Sequence, residues 1–232
     1  MNHKMSVLIV EDDKTTNDVL YHMAAGEGCI VKQCFSGFDG LRLLESWKPG
    51  LILLDLRLPD LDGMEIIRRI RAFSAIPIIV ISAISNETSK VEALDLGADD
   101  YICKPFGHSE LLARMRTAFR HSMRRQQGLA PSSTYRVGDL FIDFEHHEIY
   151  KGDKPLRLTP IEFKLITLLA HNSGKVLTNA AIMTNIWGPY VTPDNGIIRV
   201  NIANIRRKIE TNPADPQYIF TEIGIGYRMV EE

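Results

Sequence analysis

Residues 51–60 read Leu-Ile-Leu-Leu-Asp-Leu-Arg-Leu-Pro-Asp, four apolar residues in unbroken succession closed by an aspartate at position 55. A strand with one wet face alternates apolar and polar residues, whereas a continuous apolar run suits a strand covered on both faces. Similar runs stand at 7–10 and 77–81, with a shorter one at 29–31, and longer stretches of helical spacing separate them. That rhythm predicts βαβ units and a parallel sheet. A fifth short strand is expected at 100–103. After it, Ser109-Glu110 is a helix start, and Leu111, Leu112, Met115 and Phe119 recur at the spacing of a closing amphipathic helix. The first unit therefore spans 1–124.

Residues 125–133 hold Gly128 and Pro131 in a polar stretch without periodicity, which predicts a linker. Short alternating segments over 135–158, punctuated by Gly138-Asp139 and Lys151-Gly152-Asp153, predict a small antiparallel sheet at the start of a second unit, 134–232. Thr159-Pro160-Ile161-Glu162 is a capping box with proline at the first helical position. A second helix is expected from Thr178 to Trp187-Gly188-Pro189, and a third over 194–210. The tail at 218–230 reads as two strands turning at 224–226, so the second unit is α+β with the order of a winged helix-turn-helix.

The 232 residues are 45% hydrophobic, enough to fill two ordinary cores. The start of the chain lacks the form of a signal peptide, and no run approaches a membrane span, so the expectation is a cytoplasmic protein without membrane insertion. Cys29, Cys34 and Cys103 are an odd set without zinc or redox spacing and read as free thiols of a reducing compartment. His146 and His147 fall in a turn-like stretch and no zinc site is expected. The net charge is −2, and residues 1–124 carry 15 basic and 17 acidic groups against 12 and 12 in the rest. Any nucleic-acid contact must then come from a local patch rather than bulk charge.

Glu11, Asp12 and Asp13 follow the first strand and Asp55 closes the third, so a parallel sheet brings all four to its carboxyl-terminal edge, where ligands bind. Neighbouring carboxylates repel unless a cation offsets them, and a hard divalent ion, Mg2+ above all, fits oxygen donors completed by water and a phosphoryl oxygen. Asp13 reads equally well as the cap of the following helix. Ser82 and Lys104 end the fourth strand and follow the fifth, adding a hydroxyl and an ammonium suited to phosphoryl oxygens.

The segments Val-Glu-Asp-Asp at 10–13, Leu-Leu-Asp-Leu-Arg-Leu-Pro-Asp at 53–60, Ser82-Ala83 and Gly-Ala-Asp-Asp-Tyr-Ile-Cys-Lys-Pro-Phe at 97–106 resemble response-regulator receivers. The resemblance implies a flavodoxin-like receiver with a five-stranded parallel sheet, phosphorylated on Asp55 by a cognate sensor histidine kinase. Glu11 and Asp12 would hold Mg2+, Asp12 directly, with the carbonyl of Arg57 as a further ligand. Ser82 stands where the family more often has threonine. It also implies that Ser82 and Lys104 move onto the phosphoryl group, that the ring of Tyr101 turns inward, and that the Lys104-Pro105 bond is cis. The remodelled face, formed by the fourth helix, fifth strand and fifth helix, would then carry a homodimer. Lys90 with Glu110, and Asp95 with Arg116, stand where the family forms cross-dimer pairs, while the partner of Asp100 falls on His121 rather than arginine.

In the last helix Ile198, Ile202, Ile205 and Ile209 define a buried face, opposite Val200, Ala203, Asn204 and Arg207. Arg199 and Arg206 flank the exposed face on one side, Asn201 and Lys208 on the other, bordering a groove-sized ridge with phosphate-seeking groups. Asn204 and Arg207 are the candidates for base edges, Asn for adenine and Arg for guanine. Leu158-Thr159-Pro160-Ile161-Glu162-Phe163, Gly174-Lys175-Val176-Leu177-Thr178, Ile186-Trp187-Gly188 and Gly224-Ile225-Gly226-Tyr227-Arg228 resemble the winged-helix effector of the OmpR/PhoB subfamily. That resemblance implies double-stranded DNA with direct repeats as a partner and RNA polymerase contact through the loop at 188–195. An arginine often present before the first wing glycine is Ile223 here, which leaves Thr221 and Tyr227 as wing contacts to the DNA backbone. Lys-Pro-Phe-Gly at 104–107, Trp-Gly-Pro at 187–189 and Thr-Glu-Ile-Gly-Ile-Gly-Tyr-Arg at 221–228 look closest to the branch that regulates potassium-transport (Kdp) operons.

Two other readings compete. A doubly wound phosphohydrolase could use the same acidic edge, against which the effector-like second unit argues. A phosphorylation-independent DNA binder with a vestigial pocket would not need the full set of Glu11, Asp12, Asp55, Ser82 and Lys104.

Overall fold

The computed structural model describes residues 5–126, 133–189 and 195–231, apart from the side chains of 121 and 123–126. The chain divides into two compact units, Met1–Gly128 and Leu129–Glu232. The expected linker falls largely on residues 127–132, which lie outside the described residues.

In the first unit the elements run β1 (Ser6–Val10), α1 (Lys14–Gly26), β2 (Ile30–Cys34), α2 (Gly37–Ser46), β3 (Leu51–Leu54), α3 (Gly63–Phe73), β4 (Ile78–Ser82), α4 (Glu87–Asp95), β5 (Asp100–Cys103) and α5 (His108–Gln126). All strands pair in parallel, in the order β2-β1-β3-β4-β5. The period of two along each strand sorts its residues between two cores. Leu8, Val10, Ile52, Leu54, Ile78 and Val80 pack with Leu44, Ile66, Ile67, Ile70 and Ala93 of α2, α3 and α4. Val7, Ile9, Leu51, Leu53, Ile79 and Ile81 pack on the other face with Leu20, Ala24, Leu111, Leu112, Met115 and Phe119 of α1 and α5. Each fully buried aliphatic side chain contributes roughly 1.5–3 kcal/mol, which fixes the register on which the edge residues depend.

One expected strand shifts. The short apolar run at 29–31 marks a strand, and β2 starts one residue later and extends to Cys34, with Ile30 and Lys32 exposed because it is an edge of the sheet. At α3 the chain requires glycine: a Cβ at Gly63 would sit 2.5 Å from the Cα of Leu56.

In the second unit β6 (Thr134–Val137), β7 (Leu140–Asp143), β8 (Glu148–Lys151) and β9 (Lys154–Pro155) form an antiparallel sheet in sequence order. Three helices follow, α6 (Pro160–His171), α7 (Asn179–Trp187) and α8 (Asn195–Ile209). The capping box opens α6, with the Glu162 carboxylate accepting from the Thr159 N–H at 2.7 Å. The terminal hairpin, β11 (Ile219–Glu222) and β12 (Gly226–Met229), gains a third strand, β10 (Val176–Thr178), on the far side of β12. A Cβ at Gly226 would lie 1.9 Å from the carbonyl oxygen of Leu177, so only glycine admits β10 at this distance. Residues 190–194, which include most of the loop expected to meet RNA polymerase and the expected start of the third helix, lie outside the described residues.

Candidate functional site

Parallel pairing carries Glu11 and Asp12 past β1, Asp55 past β3, Ser82 to the end of β4 and Lys104 past β5, all at one edge. The carboxylates of Glu11, Asp12 and Asp55 offer oxygens within 4.8 Å of one another. Lys104 Nζ lies 2.6 Å from Glu11 Oε2 and 2.7 Å from Asp55 Oδ2. Asp55 Oδ1 accepts from the backbone N–H of Leu56 at 2.6 Å and of Arg57 at 3.2 Å, so one oxygen is pinned by the backbone and the other rests on the ammonium. Burial works against the charge of Lys104, yet its bonds to Asp55 and Glu11 win and raise its pKa.

Glu11 is 1% exposed and its Oε1 has no hydrogen-bond partner. Burial, reinforced by the charge of Asp55, lifts its pKa to about 7 despite Lys104. Three carboxylates facing one ammonium leave the pocket short of positive charge, and a hard cation with oxygen ligands fits that deficit and the orphaned oxygen. Asp13 takes its other expected role: its carboxylate caps α1 by accepting from the Thr16 N–H at 2.8 Å. Ser82 is wholly buried and its Oγ accepts from the Ile84 N–H at 3.3 Å. Tyr101 points inward at 9% exposure, its hydroxyl donating to the Ile84 carbonyl at 2.6 Å. The Lys104-Pro105 bond is cis.

On α8 the apolar face is buried as spaced, Ile198, Ile202, Ile205 and Ile209 each at 1% exposure or less. Two of the flanking cations, Arg206 and Lys208, are engaged within the fold. Arg206 directs Nε and Nη2 to the Ile219 carbonyl at 3.0 and 2.6 Å and Nη2 to Thr221 Oγ1 at 2.8 Å, tying α8 to β11. Lys208 Nζ lies 2.6 Å from the buried carboxylate of Glu162, whose pKa falls because Lys208 and the Thr159 N–H outweigh its burial. Asn201 donates back to the Ile197 carbonyl at 2.8 Å, and Asn204 Oδ1 accepts from Arg207 Nη1 at 2.8 Å. Tyr227, expected to touch DNA, is 6% exposed and belongs to the core, because in β12 its ring faces the helices. Thr221 is exposed beside the wing tip, where Ile223 stands 90% exposed.

Residues 7–116 match the model of the response regulator receiver domain, and residues 153–229 that of the transcriptional regulatory protein C-terminal domain. The KDP operon transcriptional regulatory protein KdpE of Escherichia coli is 42% identical over 97% of this chain and 99% of its own length. The chain is a response regulator of the OmpR/PhoB family. The alkaline phosphatase synthesis regulator PhoP of Bacillus subtilis is 36% identical over 100% of this chain and 98% of its own. Among solved structures, a CheY-like receiver domain protein from Methanospirillum hungatei matches with a TM-score of 0.51 at 26% identity, over 53% of this chain and 98% of that one. The chain is thus a two-component transcription regulator, and the potassium connection belongs to the Escherichia coli relative's name.

Within the response regulator's receiver, Asp100 and Glu110 are satisfied internally. Arg114 Nη1 makes two bonds to Asp100, at 2.8 and 2.7 Å, and Nη2 reaches Glu110 at 2.9 Å. Arg116 lies 3.6 Å from Glu27, while Asp95 is exposed and Lys90 half-buried on α4. The side chain of His121 lies outside the described residues. Sequence reasoning passed over three residues. Arg114 hides among the ordinary charges of α5. Asn17, fully buried, donates to the carbonyls of Glu11 and Cys34 at 2.7 and 3.1 Å and so steadies the first acidic loop; a polar residue on a buried helix face was its signal. Asp60 accepts from the N–H groups of Gly37 and Phe38, both at 2.8 Å, at the start of α2.

Proposed function

We propose that Asp55 is the phosphoacceptor of this regulator and that a cognate sensor histidine kinase is the donor. What supports this most is the convergence at one sheet edge of three carboxylates, a buried hydroxyl and an ammonium shared by Glu11 and Asp55. A carboxylate oxygen of Asp55 forms the new P–O bond as the P–N bond of a phosphohistidine breaks; the imidazole keeps the electron pair and takes up a proton. Glu11, Asp12, Asp55 and the carbonyl of Arg57 would hold Mg2+, which supplies positive charge to the transferring group. Lys104 then has phosphoryl oxygens to bind, and Ser82, already in the fourth strand's last position, offers a donor to another. The added charge, about −2 at neutral pH, biases a two-state equilibrium that ends on the face of α4, β5 and α5.

Lys90, Asp95, Asp100, Glu110 and Arg116 would form the homodimer on that face. For the acids held by Arg114, cross-dimer pairing then means sharing or exchanging its bonds. In the effector, α8 would enter the major groove of direct-repeat DNA with Arg199, Asn204 and Arg207 foremost, and the loop at 188–195 would meet RNA polymerase. Control of a potassium-transport operon from the cytoplasm is the reading that the Escherichia coli relative suggests.

The test is binding to tandem direct-repeat DNA, with and without a phosphoryl donor plus Mg2+, for wild type and Asp55→Ala. The donor tightens the wild type only. Equal binding in every condition removes the switch and leaves the phosphorylation-independent DNA binder.

A further inference from the structure

The internal bonds of α8 leave few groups free to read DNA. Arg206 is held by β11 and Lys208 by Glu162, while the amide of Asn201 is turned back on its own helix. Along one helix face remain Ile197, Val200, Ala203, Asn204 and Arg207. Val200 is 60% exposed and Ile197 37%, which makes the middle of this face apolar. A β-branched residue is a poorer helix former than alanine or the long polar residues, so a merely solvated face gives no reason for two of them side by side. Around them Arg199 and Arg207 meet no carboxylate among the described residues, so the apolar step is framed by positive charge, which suits a polyanion.

The Arg207–Asn204 bond narrows the chemistry. One lone pair of the Asn204 Oδ1 is engaged by Arg207. Asn204 thereby braces a guanidinium whose remaining N–H groups can take the paired acceptors of guanine. The apolar group that the major groove offers is the 5-methyl of thymine. We infer that Val200 reads a thymine methyl beside the guanine taken by Arg207, making Val200 a specificity-determining residue of the operator half-site.

This rests on the DNA-binding reading above. The test selects bound duplexes from a randomised library with the full chain, phosphoryl donor and Mg2+, then replaces the selected thymine by deoxyuracil, which removes only the methyl. Wild type should select a thymine adjacent to a guanine and lose about fourfold in affinity on the change to deoxyuracil, the scale of one methyl. Val200→Ala, an exposed substitution that the fold tolerates, should bind both duplexes equally. A thymine-free selected site, equal binding of both duplexes by wild type, or undiminished discrimination by Val200→Ala overturns the inference while leaving the DNA-binding reading intact. A library that yields no bound sequence overturns both.

Discussion

The acidic edge of the receiver and the cationic helix of the effector use charge in opposite ways. At the edge, three carboxylates outnumber one ammonium and a buried oxygen of Glu11 is left without a partner. On α8, two of the flanking cations expected to meet phosphate are drawn into the fold: Arg206 holds the wing strand and Lys208 neutralises a buried acid. Unsatisfied charge inside a protein costs stability and marks a place where a ligand completes the structure, whereas satisfied charge marks scaffold. The first site is built to be completed; much of the second is already complete.

The largest effect expected is on the scaffold side. Lys208→Met leaves the Glu162 carboxylate buried without its cation and should cost the second unit about 3 kcal/mol; hydrogen exchange of the α6 amides in the full chain reads it. A change below about 0.5 kcal/mol would put Lys208 back among the solvated cations.

The two regions should also respond to pH with opposite sign. Glu11 has a folded pKa of about 7 against 4.5 unfolded. With metal removed by a chelator, the receiver should lose stability as pH rises from about 4.5 to 7, by up to roughly 3 kcal/mol, as the unfolded state ionises first. Glu11→Gln should flatten that slope, and Mg2+ should offset the loss. Glu162 has a lowered pKa, so its contribution is present above 4.5 and disappears as pH falls through its folded value. Exchange rates at β1 and α6, followed across pH in one sample, check both signs.

A smaller contrast separates the two arginines on one side of the DNA-facing ridge. Arg206→Ala should destabilise the wing by about 1–2 kcal/mol through its lost hydrogen bonds. Arg199→Ala should leave stability unchanged and reduce the salt dependence of DNA binding by about one phosphate. If both variants alter only the salt slope, the tether to β11 is not holding the wing.

The same contrast explains what the sequence made legible. Topology forces residues at the ends of β1, β3, β4 and β5 to one edge, so once the apolar runs are recognised the pocket follows with little freedom. The extent of edge strand β2 was not legible because the apolar run ends before the strand does, and β10 is too short to carry a period. Helical spacing separated the buried isoleucines of α8 from its polar face, but spacing does not record which polar groups find partners across the fold. Arg206 and Lys208 depend on β11 and α6, and Tyr227 on which face of β12 meets the core; these are contacts between elements distant in sequence. Arg114 is the same case in the receiver, an ordinary helical cation until β5 brings Asp100 beside it.

The central claim is that the receiver's edge is built around Asp55 as acceptor. Intact-mass measurement of the chain after incubation with a small phosphoryl donor and Mg2+, alongside Asp55→Asn, tests it directly. One phosphoryl group gained by wild type, absent from the variant and lost on chelation of Mg2+ before the donor is added, is the predicted result. An equal gain in the variant, or none in the wild type, would contradict it.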